Sequence, residues 1–194
     1  MTEQSKVRKP EYPINKIFLN RWSSRFMSGK LIGKKELMTL FEAAKWAPSS
    51  GNNQPWRFVY ALKGSKYWPI FLSFLKEGNR KWAKNASALV VTLSKKTWDD
   101  GSYAKTHLFD TGSAWENLAL QGSLSGLVIH GMEGIHYSKI RKMLKIPKEY
   151  EMAMMIAIGK PGKIFELPEY LQKMEKPNNR KKLKEIVFEG KFKG

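Results

Sequence analysis

The chain has 194 residues, of which 42% are hydrophobic and 12% aromatic, and this predicts one folded domain with a sizeable core. It contains no cysteine, so disulfides, thiol catalysis, iron–sulfur clusters and cysteine-ligated zinc are excluded. With 35 Lys and Arg against 17 Asp and Glu, the formal net charge is +18, an excess that attracts polyanions and anionic small molecules alike.

The N-terminal residues lack an apolar core of signal-peptide length, and no run reaches the roughly 18 apolar residues of a membrane span. We therefore expect a cytoplasmic protein without membrane contact. Lysines are spread through nearly every segment, with a denser cluster only at residues 180–184. No zinc-finger, RRM or KH signature is present. This distribution favours a basic surface for solubility or anionic small molecules, and it makes nucleic acid the less favoured partner.

In the first half of the chain, residues 1–13 are predicted to be an irregular arm, and residues 14–194 a single domain. Residues 34–47 predict an amphipathic helix that Pro48 stops, with one apolar face formed by Leu37, Leu40, Phe41 and Ala44. Two strands are predicted beyond it, an alternating one over 57–62 and a continuous apolar one over 86–94.

In the second half, residues 110–127 predict the strongest helix, with Asp110 or Thr111 as its N-cap and Gly126 as a left-handed residue at its end. Further elements are predicted at LVIHGMEGI (strand and turn), HYSKIRKMLKI (helix), residues 150–159 (core strand) and the C-terminus (extended segment). Helices between buried strands predict an α+β fold with a central mixed or mostly antiparallel sheet.

The segment APSSGNNQPWRF, residues 47–58, is unusually polar. Turn chemistry explains Pro48, Gly51 and one asparagine, but not five amide or hydroxyl side chains within residues 49–54. Such groups supply both donors and acceptors for the edge of a planar heterocycle. A structural loop that hydrogen-bonds to itself is the alternative, and it is the commoner outcome for such a segment taken alone.

Two further segments carry cations. In RWSSRF, Arg21, Ser23 and Arg25 are spaced at i, i+2 and i+4, so they can present two guanidinium forks and a hydroxyl to a phosphate. A solvated basic turn is the alternative. Near the C-terminus, PNNRKK places an arginine in a turn, and HGMEGI is a glycine-bracketed turn in which a backbone N–H could approach a ligand closely.

Other chemistry is poorly supported by the sequence. The three histidines have no metal-ligand spacing, and there is no GxGxxG or GxxxxGK[ST] motif. No Ser/His/Asp order indicates a nucleophile. Donors for phosphate and heterocycle without proton-transfer groups favour a bound cofactor that carries the chemistry itself.

Taken together, these segments resemble the FMN-dependent nitroreductase family over about residues 14–190. NRWSSRF is similar to its N-terminal arginine motif, and AAKWAPSSGNNQPWRFVY to its Pro-Ser and Gln-Pro-Trp segment. FDTGSAWENLALQGSLSGL is similar to its core helix, HGMEGI to its flavin turn, and NNRKKLKEIV to its C-terminal stretch. Five motifs in the same order make the resemblance specific.

The resemblance implies a nitroreductase-like fold, an intertwined homodimer with FMN at the interface, and a role for each matching residue. Arg21, Ser23 and Arg25 match the segment that binds the phosphate and the N1/O2 side of the flavin, with Trp22 contributing through its backbone. Trp22 replaces the usual Arg or His, which removes one phosphate donor. The other implied cofactor contacts are Pro48, Ser49, Ser50 and Asn52 against the ring in the other subunit, Asn79 at the pyrimidine edge, Glu133 and Gly134 near N5, and Arg180 at the phosphate.

The activity implied is hydride transfer from NADH or NADPH to FMN, followed in a ping-pong scheme by reduction of a nitroaromatic, quinone or related acceptor. Flavin N5 would carry the chemistry, so no catalytic side chain and no metal are expected. The alternative is a protein with a basic surface that binds flavin or nucleic acid without turnover.

Overall fold

The computed structural model describes residues 7–193, so the first six residues of the predicted arm and residue 194 lie outside the described part of the chain. Four strands within it form one sheet in which every neighbouring pair is antiparallel, and the order is β1-β2-β4-β3. The strands are β1 (Trp56–Leu62), β2 (Ala88–Lys95), β3 (Val128–Met132) and β4 (Tyr150–Gly159).

The helices are α1 (Lys16–Asn20), α2 (Lys34–Lys45), α3 (Trp68–Leu72), α4 (Glu77–Ala83), α5 (His107–Leu124), α6 (Tyr137–Met143) and α7 (Glu169–Met174). Short 3₁₀ turns cover Ser50–Asn52, Ile164–Glu166 and Leu183–Glu185. The predicted α+β class with a mostly antiparallel sheet is confirmed. None of the helices in residues 7–193 combines the length and the apolar character needed to cross a bilayer.

The two central strands are buried on both faces, because helices cover the sheet on each side. Successive residues of a strand point to opposite faces. On β2, Leu89 therefore packs with α3, α4, α6 and α7, whereas Val90 packs with α2 and α5. Complete burial explains why residues 86–94 and 150–159 read as continuous apolar runs rather than as alternating strands. The two runs pair with each other as β2 and β4.

The long helix α5 begins three residues before the predicted start. Asp110 and Thr111 were predicted as caps, and this was wrong, because both are buried inside the first turns of the helix. The Asp110 carboxylate accepts hydrogen bonds from the Thr106 hydroxyl at 3.0 Å and from the Ser50 N–H at 3.2 Å. At the other end the prediction is confirmed: Gly126 follows the helix with φ +69°.

Close packing between α5 and β3 depends on Gly122. A Cβ at this position would lie 2.3 Å from Cγ1 of Ile129, closer than any real Cβ contact. Gly122 forms a small face of the helix with Ala114 and Ala119, and this small face is buried within the chain, where it lets the helix axis approach the sheet.

We expect Gly122→Ala to destabilise the protein by about 1–3 kcal/mol, because overpacking outweighs the better helix propensity of alanine. Chemical denaturation measures the change. Gly78→Ala is the control: this helical glycine has no atom within 4 Å of an added Cβ, so the substitution should be neutral or stabilising by up to about 1 kcal/mol.

A double-mutant cycle with Ile129→Ala identifies the cause. Removing Cγ1 and Cδ1 of Ile129 should make Gly122→Ala nearly harmless in that background, a coupling of about 1 kcal/mol or more. Additive losses would contradict the proposed contact.

Candidate functional site

Arg21 lies where helix α1 ends, and its backbone N–H donates to the Ile17 carbonyl to close the helix. The chain then turns, so that Arg21 Nη1 lies 3.4 Å from Ser23 Oγ and donates a long hydrogen bond to it. Its Nε lies 3.9 Å from Oε1 of the half-exposed Glu116 on α5. The Arg21 and Ser23 side chains are therefore neighbours, as the spacing predicts.

Arg180 lies in the C-terminal stretch, two residues after Asn178, whose carbonyl accepts a hydrogen bond from the same Arg8 guanidinium that donates to the Arg21 carbonyl. Arg180 is exposed, and its Nη1 donates to Asn178 Oδ1 at 2.9 Å. A third guanidinium, that of Arg8, lies with them. Burial lowers the pKa of Arg8, and the positive charges of Arg180 and Arg21 lower it further. We call Arg8, Arg21 and Arg180 the guanidinium cluster.

Arg8 was not among the residues predicted from the sequence. It lies in the predicted irregular arm, in no motif, and a single arginine in a chain with 35 basic residues gives no signal. In the structure it is only 9% exposed and donates to three backbone carbonyls.

Arg25 forms a buried ion pair. Its Nη1 lies 2.8 Å from Oε1 of Glu175, and its backbone N–H donates to Oε2 of the same carboxylate at 3.1 Å. The Glu175 side chain is completely excluded from solvent, whereas that of Arg25 is 26% exposed. Arg25 is thus oriented by a carboxylate that the sequence did not identify, and the pair leaves little net charge at this point.

His130 on β3 connects this segment to helix α4. Its Nδ1 lies 2.9 Å from the Ser24 carbonyl, which can only accept, so Nδ1 carries the proton. The opposite side of the ring packs on Trp82 with 4.6 Å between centroids. Burial lowers the pKa of His130, and the charge of Arg25 acts in the same direction. His130 is therefore a packed residue of strand β3.

The turn after β3 carries Glu133 and Gly134 and is held by helix α4. The Gly134 carbonyl accepts from the Lys76 N–H at 3.0 Å and from Asn79 Nδ2 at 3.1 Å. A Cβ on Gly134 would lie 2.8 Å from Asn79 Nδ2, so only glycine fits without moving that amide. Within residues 7–193, the N–H groups of Glu133 and Gly134 donate to no acceptor.

A cleft of about 800 Å³ lies between helix α6 and strand β4, and its lining includes Tyr137, Arg141, Lys142 and Glu151. The pKa of Tyr137 is raised by burial and by the Glu133 carboxylate. The Arg141 guanidinium donates to the carbonyls of Ile146, Pro147 and Tyr150, so it serves the backbone of this region. No residue of the turn lines the cleft.

The polar loop, residues 48–54, lies apart from the turn and the cleft. The Ser49 hydroxyl accepts from the Gln54 N–H at 3.1 Å, while Pro48, Ser50 and Asn52 are exposed. Non-glycine residues Asn52 and Gln54 have φ of +56° and +47°, a region that costs roughly 1–2 kcal/mol for each L-residue. Strain of this kind concentrates at functional loops.

Helix α5 separates the loop from the guanidinium cluster. Ser50 contacts Asp110, whereas Arg21 approaches Glu116 six residues later. Six helical residues correspond to about 9 Å along the axis and about 120° around it. No hydrogen bond or ion pair between described residues joins loop 48–52 to Arg21, Asn79 or Gly134. Within one chain, the loop and Arg21 thus contact helix α5 at different points of its surface.

Trp22 contributes packing rather than charge. Its ring meets the edge of Phe26 with 5.9 Å between centroids, and the residue is half-buried. The indole cannot replace the ionic donor that the family resemblance would place there.

A buried Ser–His–Glu contact resembles a hydrolytic triad but cannot act as one. His107 Nδ1 lies 2.9 Å from Ser94 Oγ, and His107 Nε2 lies 3.7 Å from Glu151. The Ser94 hydroxyl already donates to the His107 carbonyl and accepts from Thr111, and Ser94 is fully buried. The contact therefore fastens β2 to α5. Residues 7–193 also contain no group of three or more His, Asp or Glu that could hold a metal ion.

Comparisons with known proteins show what the whole chain is similar to. A curated protein from Archaeoglobus fulgidus, assigned as an NADH dehydrogenase/NAD(P)H nitroreductase, is 26% identical over 156 residues, covering 75% of this chain and 84% of its own. A crystal structure described as an oxidoreductase containing FMN is 44% identical, covers 96% of each chain and has a TM-score of 0.93.

A third similarity concerns the fold alone. A protein from Desulfovibrio desulfuricans assigned as a nitroreductase, solved in complex with FMN, is 19% identical with a TM-score of 0.72, covering 95% of this chain and 100% of its own. The profile of the nitroreductase family matches residues 19–160, most of the sequence. The chain therefore belongs to the nitroreductase family.

Proposed function

We propose that this protein is an FMN-dependent oxidoreductase that takes hydride from NADH or NADPH and reduces a nitroaromatic, a quinone or a related acceptor. The observation that carries the proposal is that the Arg8 guanidinium joins the backbones of two remote segments, at Arg21 and at Asn178, each of which carries a residue of the guanidinium cluster. Family membership and the 44% identity to an oxidoreductase containing FMN support it.

The phosphate end of FMN fits the guanidinium cluster. The charges of Arg21 and Arg180 both act on Arg8, and the half-exposed Glu116 carboxylate lies 3.9 Å from Arg21. A dianionic phosphate would offset the mutual repulsion and accept charge-assisted hydrogen bonds from Arg21 and Arg180, with Ser23 as a third donor. Trp22 would contribute only through its backbone.

The ring end fits the turn after β3. The N–H groups of Glu133 and Gly134 have no acceptor among the described residues and could donate to the flavin ring. Asn79 donates to the Gly134 carbonyl through Nδ2, which leaves its Oδ1 to accept from an imide N–H. Arg25 retains N–H groups not used by Glu175 for the oxygen side of the ring.

FMN, when bound, would supply the hydride chemistry, with NAD(P)H and the acceptor using the same site in turn. The protein's own residues would bind and orient the cofactor and offset its negative charge. His130 is poorly suited to proton transfer because its Nδ1–H is committed to the Ser24 carbonyl and burial lowers the pKa of the ring. Solvent is then the proton source, which requires no acidic side chain at the ring.

We further propose that the active form is a homodimer in which Pro48, Ser49, Ser50 and Asn52 of one subunit contact the ring held by the other. The separation of this loop from the cations by helix α5 supports the proposal. Because the small face of α5 is buried within the chain, its exposed face with Phe109 is the one available to a partner. The C-terminal tail also exposes apolar side chains, namely Leu183, Ile186, Val187 and Phe192.

The first prediction tests the function. Purified protein should be yellow or should bind added FMN, and anaerobic NADH or NADPH should bleach its flavin absorbance, because hydride reaches the ring. Subsequent addition of a nitroaromatic or a quinone should restore the absorbance. A colourless protein that ignores FMN and shifts DNA at moderate salt would support the nucleic-acid alternative, and bound flavin that no nicotinamide reduces would indicate binding without turnover.

We expect Arg21→Ala and Arg180→Ala each to weaken FMN binding by about 1.5–3 kcal/mol, since each removes a charge-assisted hydrogen bond to the phosphate. Fluorescence titration measures the dissociation constant. Lys35→Ala, which removes one charge from an exposed position on α2, is the control and should change little. Wild-type affinity in both arginine variants would disprove their phosphate role.

The dimer is tested by light scattering, which should give twice the chain mass of 22.4 kDa for the FMN-bound protein. The double substitution Ile186→Asp/Val187→Asp should shift the protein towards monomer, because it places two charges where apolar contact is expected. Tyr67→Asp, at an exposed aromatic residue beside α3, is the matched control. A monomeric wild-type protein with FMN bound would rule out the shared site.

A further inference from the structure

The Arg8 guanidinium connects two segments of the guanidinium cluster. Its Nη1 donates to the Leu19 carbonyl at 2.9 Å and to the Arg21 carbonyl at 2.8 Å. Its Nε donates to the Asn178 carbonyl at 3.2 Å. One guanidinium thus holds the end of helix α1 on one side and the C-terminal stretch, two residues before Arg180, on the other.

This arrangement is electrostatically unfavourable without an anion. Arg8 is buried, and its partners are neutral carbonyls rather than carboxylates, while Arg21 and Arg180 oppose its charge. Hydrogen bonds to backbone carbonyls could be made by a neutral donor, so fastening two loops does not by itself require a third positive charge at this position. A bound phosphate would convert the repulsion among the three cations into attraction.

We propose that Arg8 is a positioning residue for the phosphate of FMN, an inference that rests on the proposed function. By holding the Arg21 and Asn178 backbones together, Arg8 sets the separation at which Arg21 and Arg180 reach one phosphate. The arm that the sequence predicts as separate from the domain of residues 14–194 is, on this proposal, part of the cofactor site.

The hydrogen-bond geometry of Arg8 allows its bridging role to be tested separately from its positive charge. Arginine spreads its donors over a rigid planar fork, and here two of its nitrogens reach carbonyls of two chain segments. A lysine ammonium keeps the charge but concentrates its donors on one nitrogen at the end of a flexible stem. Arg8→Lys therefore removes most of the bridging while leaving the charge in place, and Arg8→Gln removes both.

The experiment compares FMN with riboflavin, which has the same ring and no phosphate, by fluorescence titration of the full chain. For Arg8→Gln we expect the FMN dissociation constant to rise about 10- to 100-fold, with riboflavin changed less than about 3-fold. Arg8→Lys should remain at least about fivefold weaker than wild type for FMN. Lys9→Ala, at the exposed neighbouring position, is the control and should behave as wild type.

Several results would overturn the proposal. Wild-type FMN affinity in Arg8→Gln would leave Arg8 without a role at the site. Equal losses for FMN and riboflavin would mean that Arg8 supports the fold generally, and full recovery in Arg8→Lys would mean that charge alone acts.

A second measurement separates this inference from the proposed function. Inorganic phosphate should raise the unfolding temperature of the flavin-free wild type more than chloride at equal ionic strength does, and Arg8→Lys should lose that excess. If the wild type binds neither flavin, the proposed function fails, yet the phosphate response of the variants still decides whether Arg8 organises an anion site. The same stabilisation in Arg8→Lys as in the wild type would reject it.

Discussion

The buried carboxylate of Glu175 is the contact on which the arrangement of the site depends. Both of its oxygens accept hydrogen bonds from Arg25, one from the side chain and one from the backbone. A carboxylate excluded from water is tolerated only when it is paired and hydrogen-bonded, so this geometry is strongly enforced. It fixes the irregular segment before Met27 to the residues that follow α7. The tail that carries Arg180 therefore leaves the domain next to the segment that carries Arg21.

Short contacts connect this irregular segment, which contains Ser24, to the turn that carries Gly134. The Ser24 carbonyl accepts a hydrogen bond from His130 Nδ1–H, and the His130 ring packs on Trp82. The helix that contains Trp82 also contains Asn79, which donates a hydrogen bond to the Gly134 carbonyl. The first contact joins a loop to strand β3, the second joins β3 to helix α4, and the third joins α4 to the turn after β3. Loops positioned by a rigid scaffold can retain an exact arrangement of donors without stabilising it by themselves.

Much of this organisation could be predicted from the sequence, for reasons that particular residues make clear. Patterns set by residues close together in the sequence can be recognised before the fold is known. They include the apolar runs of β2 and β4, the left-handed Gly126 and the apolar face formed by Leu37, Leu40 and Ala44. Helix α4 went unpredicted because Glu77–Ala83 is short and buries only Trp82 and Ala83. The start of α5 was misplaced because Asp110 has its partner, the Ser50 N–H, sixty residues away in sequence.

Arg8 and Glu175 could not be found in the sequence for a related reason. Each acts across more than 145 residues of chain, towards Asn178 and Arg25 respectively, and neither residue stands in a recognisable spacing.

The backbone conformation of the loop around Gly51 has a consequence for the binding of a ligand. Three of its residues, Gly51, Asn52 and Gln54, have left-handed conformations, and hydrogen bonds to the Ser49 hydroxyl and the Asp110 carboxylate hold the segment within the chain. Much of the conformational entropy of this segment is therefore lost during folding rather than during binding, so a ring docking against the loop would meet a wall that is already ordered.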